Sequence, residues 1–284
     1  MRHLRLGVIA AGLGGTAFAL GGGRPVARVG TESLVLEWRD LRPGLEVATA
    51  RFTAPGEGHW TKLVLLRLDP SRLRLGLSIH LNREMNAGAW TIDDAAPGAV
   101  AAFNAGQFNG IAPWGWSVMD GLELRPPGSG PLSMAVVADT GGKVRFVSPD
   151  SIEAVRARGG VATAIQSYPA LVTEGGRIPP ELSDPASGVG IAHRDARLAI
   201  GQLADGRLLL LLTRFDGIGE VGGVIPFGLT LQETAQLLRS LGALRAVALD
   251  GGISAQLMVR AADGARQTWP AWRKVPVGLV VRER

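Results

Sequence analysis

The stretch AVALDGGISAQLMV, residues 246–259, places an acidic residue and two glycines at the point where an apolar strand ends. Asp250 follows the apolar run 246–249, and apolar residues resume after Ser254. An Asp-Gly pair between two apolar runs is a strong signal for a hairpin turn, because glycine readily adopts the positive φ that a tight turn requires. The same glycines would also let backbone N–H groups approach a ligand beside Asp250. Taken alone, the stretch leaves both interpretations open.

The composition is that of a strand-rich globular protein. The chain has 284 residues, 46% of them hydrophobic and 19% charged, and its 40 glycines interrupt short apolar runs without a regular period. It has no cysteine, which excludes disulfides, thiolate chemistry and cysteine-ligated metals. The net charge of +5 includes no block of basic residues, so we expect no nucleic-acid partner.

The N-terminal residues resemble a targeting segment. A basic start with Arg2 and Arg5 precedes an apolar stretch over 6–20 that ends in small residues, as in a secretory signal peptide. This pattern predicts a signal peptide over 1–19, a flexible glycine-rich linker over 20–30 and a periplasmic or extracellular mature protein. The stretch is short for a membrane span, so we expect none after cleavage; an uncleaved anchor is the alternative.

Alternating and apolar runs predict many short strands and few helices. Strands are predicted over 32–38, 45–52, 61–68, 72–81, 99–103, 132–138, 144–147, 197–203, 207–212 and 277–281. Asp69-Pro70-Ser71 predicts a turn, and 91–96 a short helix. The clearest helix is 231–241, where Thr230 and Glu233 have the spacing of a capping box.

This arrangement predicts an α+β fold, with a strand-rich mixed sheet and a few helices, because strands and helices do not alternate strictly. We expect a β-rich N-terminal part over 31–90, followed by a single catalytic-type domain over 91–284. The sequence leaves the oligomeric state open.

Two predicted strands end in a polar residue followed by glycines. Asn104 precedes Gly106, and Asp250 precedes Gly251 and Gly252. Ligands often bind at strand ends, where an amide side chain donates and accepts hydrogen bonds and a carboxylate supplies charge. The alternative for Asn104 is an ordinary Asn-x-Gly turn.

Other candidate residues are an arginine and two tryptophans. Arg197 begins an apolar strand, where its planar guanidinium could hold a phosphate or carboxylate, unless it is a surface arginine. Trp114 and Trp116 lie in a loop rich in proline and glycine, where they could stack on a sugar or pack onto the core. Asp205 is predicted only to form its turn. The four histidines form no pair at ligand spacing, so no metal site is predicted.

The order of these motifs resembles the phosphodiester glycosidase family. That family has a strand ending Asn-Gly-Gly-Phe/Tyr-Phe, a hydrophobic pair before Asp-Gly, Arg-Thr-Ala-Ile-Gly opening a hairpin, a helix with an early Glu, and Asn-Leu-Asp-Gly-Gly-Gly-Ser. The similar segments are FNAGQF at 103–108, WSVMDG at 116–121, RLAIG at 197–201, the helix with Glu233, and ALDGGIS at 248–254. The resemblance covers roughly residues 91–283.

The resemblance implies a hydrolase that cleaves the glycosidic C–O bond of a sugar-1-phosphodiester. Together with the predicted signal peptide, it leads us to expect an exported enzyme that acts on a cell-envelope or exopolysaccharide glycan, and we expect no cofactor. It implies catalytic roles for Asp250, as nucleophile, base or partner of an oxocarbenium-like carbon, and for Arg197, which would hold the phosphate. The substrate-binding residues expected on this basis are Asn104, Gly106, Gly251, Gly252, Ser254 and Trp116.

Four residues depart from the family pattern: Ala105, Gln107, Leu198 and Ile253. These departures leave open a changed substrate or a lost activity. One alternative function is therefore non-catalytic binding of an envelope glycan on the same scaffold. A metal-assisted phosphodiesterase that cuts the P–O bond is a second alternative, but a cluster of carboxylates and histidines at ligand spacing is missing from the sequence.

Overall fold

The computed structural model describes residues 26–29, 32–56, 58–130, 132–187, 189–216 and 228–284. The predicted signal peptide over 1–19 lies outside these residues. None of the helices in the described ranges is long and apolar enough to cross a membrane.

Within these residues the chain forms 23 strands and two α-helices. The strands are β1 (Val26–Val29), β2 (Glu32–Val35), β3 (Arg39–Arg42), β4 (Leu45–Thr53), β5 (Trp60–Leu68), β6 (Leu73–Ile79), β7 (Leu81–Asn82), β8 (Ala87–Gly88), β9 (Ala99–Asn104), β10 (Phe108–Asn109), β11 (Ala112–Pro113), β12 (Ser117–Met119), β13 (Leu122–Arg125), β14 (Met134–Asp139), β15 (Val144–Val147), β16 (Val161–Ser167), β17 (Ala170–Val172), β18 (Leu198–Leu203), β19 (Leu208–Phe215), β20 (Ala243–Ala248), β21 (Leu257–Arg260), β22 (Arg266–Trp269) and β23 (Val277–Glu283). The helices are α1 (Pro149–Arg158) and α2 (Leu231–Ser240).

Three sheets contain most of these strands. A seven-stranded sheet has the order β17-β20-β18-β19-β5-β4-β3, and two five-stranded sheets have the orders β22-β21-β9-β23-β6 and β13-β12-β16-β14-β15. The strand-rich fold with few helices is confirmed. The sheets are not mixed, however: every strand pair among the described residues is antiparallel, because sequential strands are joined by turns and long loops rather than by parallel crossovers.

The predicted hairpins and the helix cap are present. β14 pairs with β15, and β18 pairs with β19. In α2, the Thr230 hydroxyl accepts a hydrogen bond from the Glu233 N–H, and the Glu233 carboxylate accepts one from the Thr230 N–H. The short helix predicted over 91–96 is a single 3₁₀ turn, Ile92–Asp94, which Thr91 caps in the same way.

The β-rich N-terminal part does not form a separate segment. β4 and β5 extend the seven-stranded sheet beyond β19, and β6 pairs with β23 at the C-terminus. Val26–Val29, within the predicted linker, is a strand that pairs with β2 and buries Ala27 and Val29. Where the sequence predicts a flexible linker, these four residues thus form a paired strand, in which the buried Ala27 and Val29 flank an exposed Arg28.

The seven-stranded sheet is covered on both faces, so β19 is buried along its whole length. Leu208, Leu210 and Leu212 pack into a cluster with residues of β9, β21 and β23. Leu209 and Leu211 point to the other face, where they pack with residues of α2. Two packed faces explain why residues 208–212 of β19 form a continuous apolar run rather than an alternating one.

Candidate functional site

The DGG segment connects two sheets and is not a hairpin turn. β20, before it, belongs to the seven-stranded sheet, whereas β21, after it, belongs to the sheet that contains β9. The Asp250 N–H donates to the Ala105 carbonyl at 3.1 Å, and the Gly252 N–H donates to the Ala196 carbonyl at 2.8 Å. The segment is therefore held between the end of β9 and the residues just before β18.

Both glycines are required by this close approach. A Cβ atom on Gly251 would lie 2.6 Å from the Ala196 carbonyl oxygen. Gly252 has a φ of +57°, and a Cβ atom there would lie 2.7 Å from Oδ2 of Asp195. Ile253 takes the place of the third family glycine without a positive φ, and its side chain is 48% exposed. This departure therefore needs no strained backbone.

The Asp250 carboxyl group is largely buried. Burial raises its pKa, and the nearby Asp195 carboxylate adds to that effect, while a hydrogen bond from Ser254 and the charge of Arg273 oppose it. Oδ2 of Asp250 is buried and has no hydrogen-bond partner among the described residues. An unsatisfied buried acceptor is costly to the fold, and one physical reason for keeping it is a catalytic or ligand-binding role.

Arg197 lies beside this segment, and two of the three nitrogens of its guanidinium group donate hydrogen bonds. Its Nε donates to the Leu229 carbonyl at 2.7 Å, and its Nη2 donates to the His193 carbonyl. Nη1 makes no hydrogen bond within the described part of the chain. Burial lowers the pKa of Arg197, whereas the charges of Asp195 and Glu233 raise it. Arginine is nevertheless always protonated in proteins, so a buried positive charge faces the site.

A pocket of about 340 Å³ brings the two predicted catalytic residues together. Arg197 and Asp250 both line it, although they come from different loops, and Gly251 lines it as well. The Gly251 N–H donates no hydrogen bond within the described ranges. The remaining polar lining includes Gln107, Tyr168, His193, Asp195 and Thr234.

Asn104 lies behind the pocket rather than in its wall. It is fully buried, its Nδ2 donates to the Asp250 carbonyl at 2.7 Å, and its Oδ1 accepts from the Gln256 N–H at 3.0 Å. Its role in this geometry is to hold the Asp250 loop against β9. The buried Ser254 likewise acts on Asp250, to whose carboxyl group its side chain is hydrogen-bonded. Gly106 serves close packing, since a Cβ atom there would lie 2.7 Å from Ser167 Oγ.

Trp116 does not fit the stacking role expected of it. Its side chain is 1% exposed, packs in an apolar cluster and donates from Nε1 to Glu123 at 3.0 Å. Trp114 is only half-buried, and its ring lies 6.0 Å from the ring of Tyr168, a residue of the pocket wall. Of the two tryptophans, the structure places only Trp114 next to the pocket.

The four residues that depart from the family pattern do not fill the pocket. Ala105 is buried and its carbonyl holds Asp250. Gln107 lines the pocket, where its Oε1 accepts from the Ser167 hydroxyl at 2.9 Å and its Nε2 donates to the Tyr168 carbonyl. Leu198 also lines the pocket, whereas Ile253 is exposed outside it. Two departures therefore change the chemistry of the wall without filling it.

Sequence reasoning missed several residues of the site. Asp195 and His193 lie just before Arg197, and an acid so close to a candidate arginine was the available signal. Arg273, whose charge acts on Asp250, lies over the Phe108 ring at 4.6 Å and had no pattern to mark it. Among the described residues, no group of three or more His, Cys, Asp and Glu side chains is placed to hold a metal ion.

Comparison with known proteins adds a family and a fold. The phosphodiester glycosidase profile matches residues 97–282. The structure is similar to the zebrafish N-acetylglucosamine-1-phosphodiester alpha-N-acetylglucosaminidase catalytic domain auto-inhibited by its pro-peptide, with a TM-score of 0.65 and 19% identity over 91% of this chain and 87% of that one. It is also similar to a hypothetical protein from Synechocystis, with a TM-score of 0.54 and 15% identity over 88% of this chain and 64% of the other. No curated protein matches the chain in sequence.

Proposed function

The chain belongs to the phosphodiester glycosidase family, and we propose that it is an exported hydrolase that cleaves the glycosidic C–O bond of a sugar-1-phosphodiester in a cell-envelope or exopolysaccharide glycan. One observation carries the proposal: a part-buried carboxylate with one buried, unsatisfied oxygen and a part-buried guanidinium line the same pocket. These are the two charges that such a reaction needs.

The carboxylate is suited to the sugar. Cleavage at the anomeric carbon passes through an oxocarbenium-like transition state, which a negative charge stabilises. Asp250 is fixed by its backbone hydrogen bond to Ala105 and by the Asn104 side chain on its carbonyl. Its burial means that little solvent screens the attraction, and no reorganisation is needed as the positive charge develops.

The positive groups are suited to the phosphate. A departing phosphate ester is far less basic than an alkoxide, so the protonation that ordinary glycosidases supply to their leaving group is less necessary. Arg197 and Gly251 both line the pocket, where Nη1 and the Gly251 N–H would donate to the phosphate. Arg273 adds a second positive charge near Asp250. The sugar ring itself would rest near Tyr168, with Trp114 behind it.

The export part of the proposal is supported by the basic start and the apolar stretch 6–20 of the sequence. N-terminal sequencing of secreted protein tests it, and retention of residues 1–19 would contradict it.

Hydrolysis of a panel of sugar-1-phosphodiesters by the purified protein tests the reaction. Asp250→Asn removes the charge and keeps the shape, so we expect kcat to fall by roughly 10²–10³-fold or more with the fold retained. In ¹⁸O-labelled water the label should enter the sugar, which distinguishes C–O from P–O cleavage.

Asp205→Asn is the matched control. Asp205 lies in the β18–β19 turn, where it pairs with Arg207 at 2.8 Å, so its loss should leave kcat unchanged. Full activity in Asp250→Asn, or equal losses in both variants, would contradict the assignment.

Non-catalytic glycan binding remains the alternative, and one observation favours it: Gln107 and Leu198, two departures from the family pattern, line the pocket. A wild type that binds glycans in calorimetry yet releases no phosphomonoester from any substrate would favour the binding function.

A further inference from the structure

We propose that Asp195 is a second catalytic carboxylate of this site, the general base that takes a proton from the attacking water; the inference rests on the proposed hydrolysis. Sequence reasoning gave Asp195 no role, and the family motifs around Arg197 and Asp250 do not include it.

The fold places Asp195 against the Asp250 loop. Asp195 lines the same pocket as Asp250 and Arg197. Its Oδ2 lies over Gly252, within 2.7 Å of the position that a Cβ atom would take there. The Gly252 N–H is bonded to the carbonyl of the next residue, Ala196, so the two loops are fixed relative to each other. The glycine thus leaves room for a carboxylate.

The two carboxylates occupy different environments. Oδ2 of Asp250 is buried without a hydrogen-bond partner among the described residues, whereas the Asp195 side chain is 20% exposed at the pocket wall and can contact water. Asp195 is also oriented, since its Oδ1 accepts from the Ala196 N–H at 2.8 Å and its Oδ2 lies 3.3 Å from Nε2 of His193. Pairs of carboxylates in unlike environments commonly divide the work of glycoside hydrolysis between them.

The step balances without a further reactant. The water oxygen forms a bond to the anomeric carbon while Asp195 accepts one water proton. The bond from that carbon to the phosphate oxygen breaks, and its electron pair stays on the phosphate, which leaves as a phosphomonoester. Asp250 stabilises the carbon and Arg197 the leaving phosphate. Asp195 then releases its proton to solvent, and nothing is oxidised or reduced.

The isosteric variant Asp195→Asn tests this role through chemical rescue. Loss of a general base typically lowers the rate by about 10²–10⁴-fold, so we expect kcat to fall at least ~100-fold while KM changes little. Added azide, a nucleophile that needs no deprotonation, should restore turnover and yield a glycosyl azide. A residue that merely supports the loop would show no such rescue.

Asp184→Asn is the control. Asp184 also accepts a local backbone hydrogen bond, from Ala186 at 2.9 Å, but it is exposed and does not line the pocket. We expect it to retain wild-type kcat.

The outcomes separate the two proposals. If the wild type is active but Asp195→Asn keeps kcat within about threefold, or loses activity that azide does not restore, the role of Asp195 is overturned and the proposed function stands. If the wild type hydrolyses no sugar-1-phosphodiester, the proposed function fails, and the role of Asp195 fails with it.

Discussion

Among single residues, Asp250 combines a chemical role with a cost to the folded state. Burial raises the pKa of its carboxyl group above the ordinary 3.8, with a smaller contribution in the same direction from Asp195. The folded chain therefore holds this proton more tightly than the unfolded chain does. Ionisation of Asp250 consequently lowers the free energy of unfolding as the pH rises from the ordinary pKa through the raised one.

This pH dependence of the free energy of unfolding gives a prediction for Asp250→Asn, whose side chain cannot ionise. As the pH rises from below 3.8 towards neutrality, stability should shift in favour of the variant relative to wild type. Urea unfolding midpoints measured across that range would show it. Wild-type kcat/KM should fall as the pH drops through the raised pKa, because the proposed reaction needs the carboxylate.

For Asp205→Asn we expect the opposite pH dependence of stability. Burial alone would raise the pKa of Asp205, but hydrogen bonds from Arg207 outweigh it and lower that pKa. This variant should lose stability relative to wild type as the pH rises. The same pH dependence of stability in both variants would contradict the opposite pKa shifts of Asp250 and Asp205.

Part of the site could be predicted from single residues. Asp250 and Arg197 were found because a charged residue where an apolar strand begins or ends is recognisable in sequence. Asn104 has the same pattern, but its side chain faces backbone, and a pattern does not give orientation. The burial of Trp116 depends on partners distant in sequence.

At the level of elements, the start of α2 supports the site. The Thr230–Glu233 capping box fixes the first turn, and Glu233 also binds Arg194 through both oxygens at 2.8 Å. Leu229, directly before the cap, supplies the carbonyl that holds Arg197. The helix end and the guanidinium are therefore positioned together.

We expect Thr230→Ala to lower the free energy of unfolding by about 1 kcal/mol, because the cap hydrogen bond is lost. Urea denaturation measures this loss. Ser148→Ala is the control: Ser148 is the N-cap residue of α1, but its side chain makes no capping bond, so its replacement should cost much less. Equal losses in the two variants would contradict the role of the cap.

Helices and strands with strong local sequence signals were predictable, whereas those with weak signals were not. α2 has a capping box and a continuous buried face, whereas α1 buries only Ile152 and Val155 and so lacks a clear apolar stripe. β12 and β16 pair with each other although they are far apart in sequence, and no turn signal joins them.

For the whole molecule, the main difference from the sequence prediction is the choice of strand partners. β5 and β6 flank the predicted Asp69-Pro70-Ser71 turn, yet they belong to different sheets. Hydrophobic patterns specify which face of a strand is buried, but they do not specify which distant strand lies beside it. The β-rich N-terminal part was therefore predicted as a separate segment, although its strands complete the sheets of the site.

A fragment of residues 97–284 should consequently fail to fold. Without β4 and β5, the fully buried β19 would become an exposed apolar edge, which favours aggregation. Circular dichroism and size-exclusion chromatography should show no cooperative melting and no monomer. A fragment of residues 26–284, which keeps every described strand, should melt cooperatively. Cooperative melting of the shorter fragment would contradict the prediction.

The pairing of β6 with β23 also has a consequence for the order of events in folding. Leu73 lies opposite Glu283, and Ile79 lies opposite Val277. A ribosome must therefore synthesise all the strands from β7 to β22 before β6 meets its partner. Contacts between such distant residues slow folding, because a long loop must close before any pairing stabilises it. β23, which is synthesised after the other four strands of its sheet, thus completes the sheet that contains β9, against whose end the Asp250 loop is held.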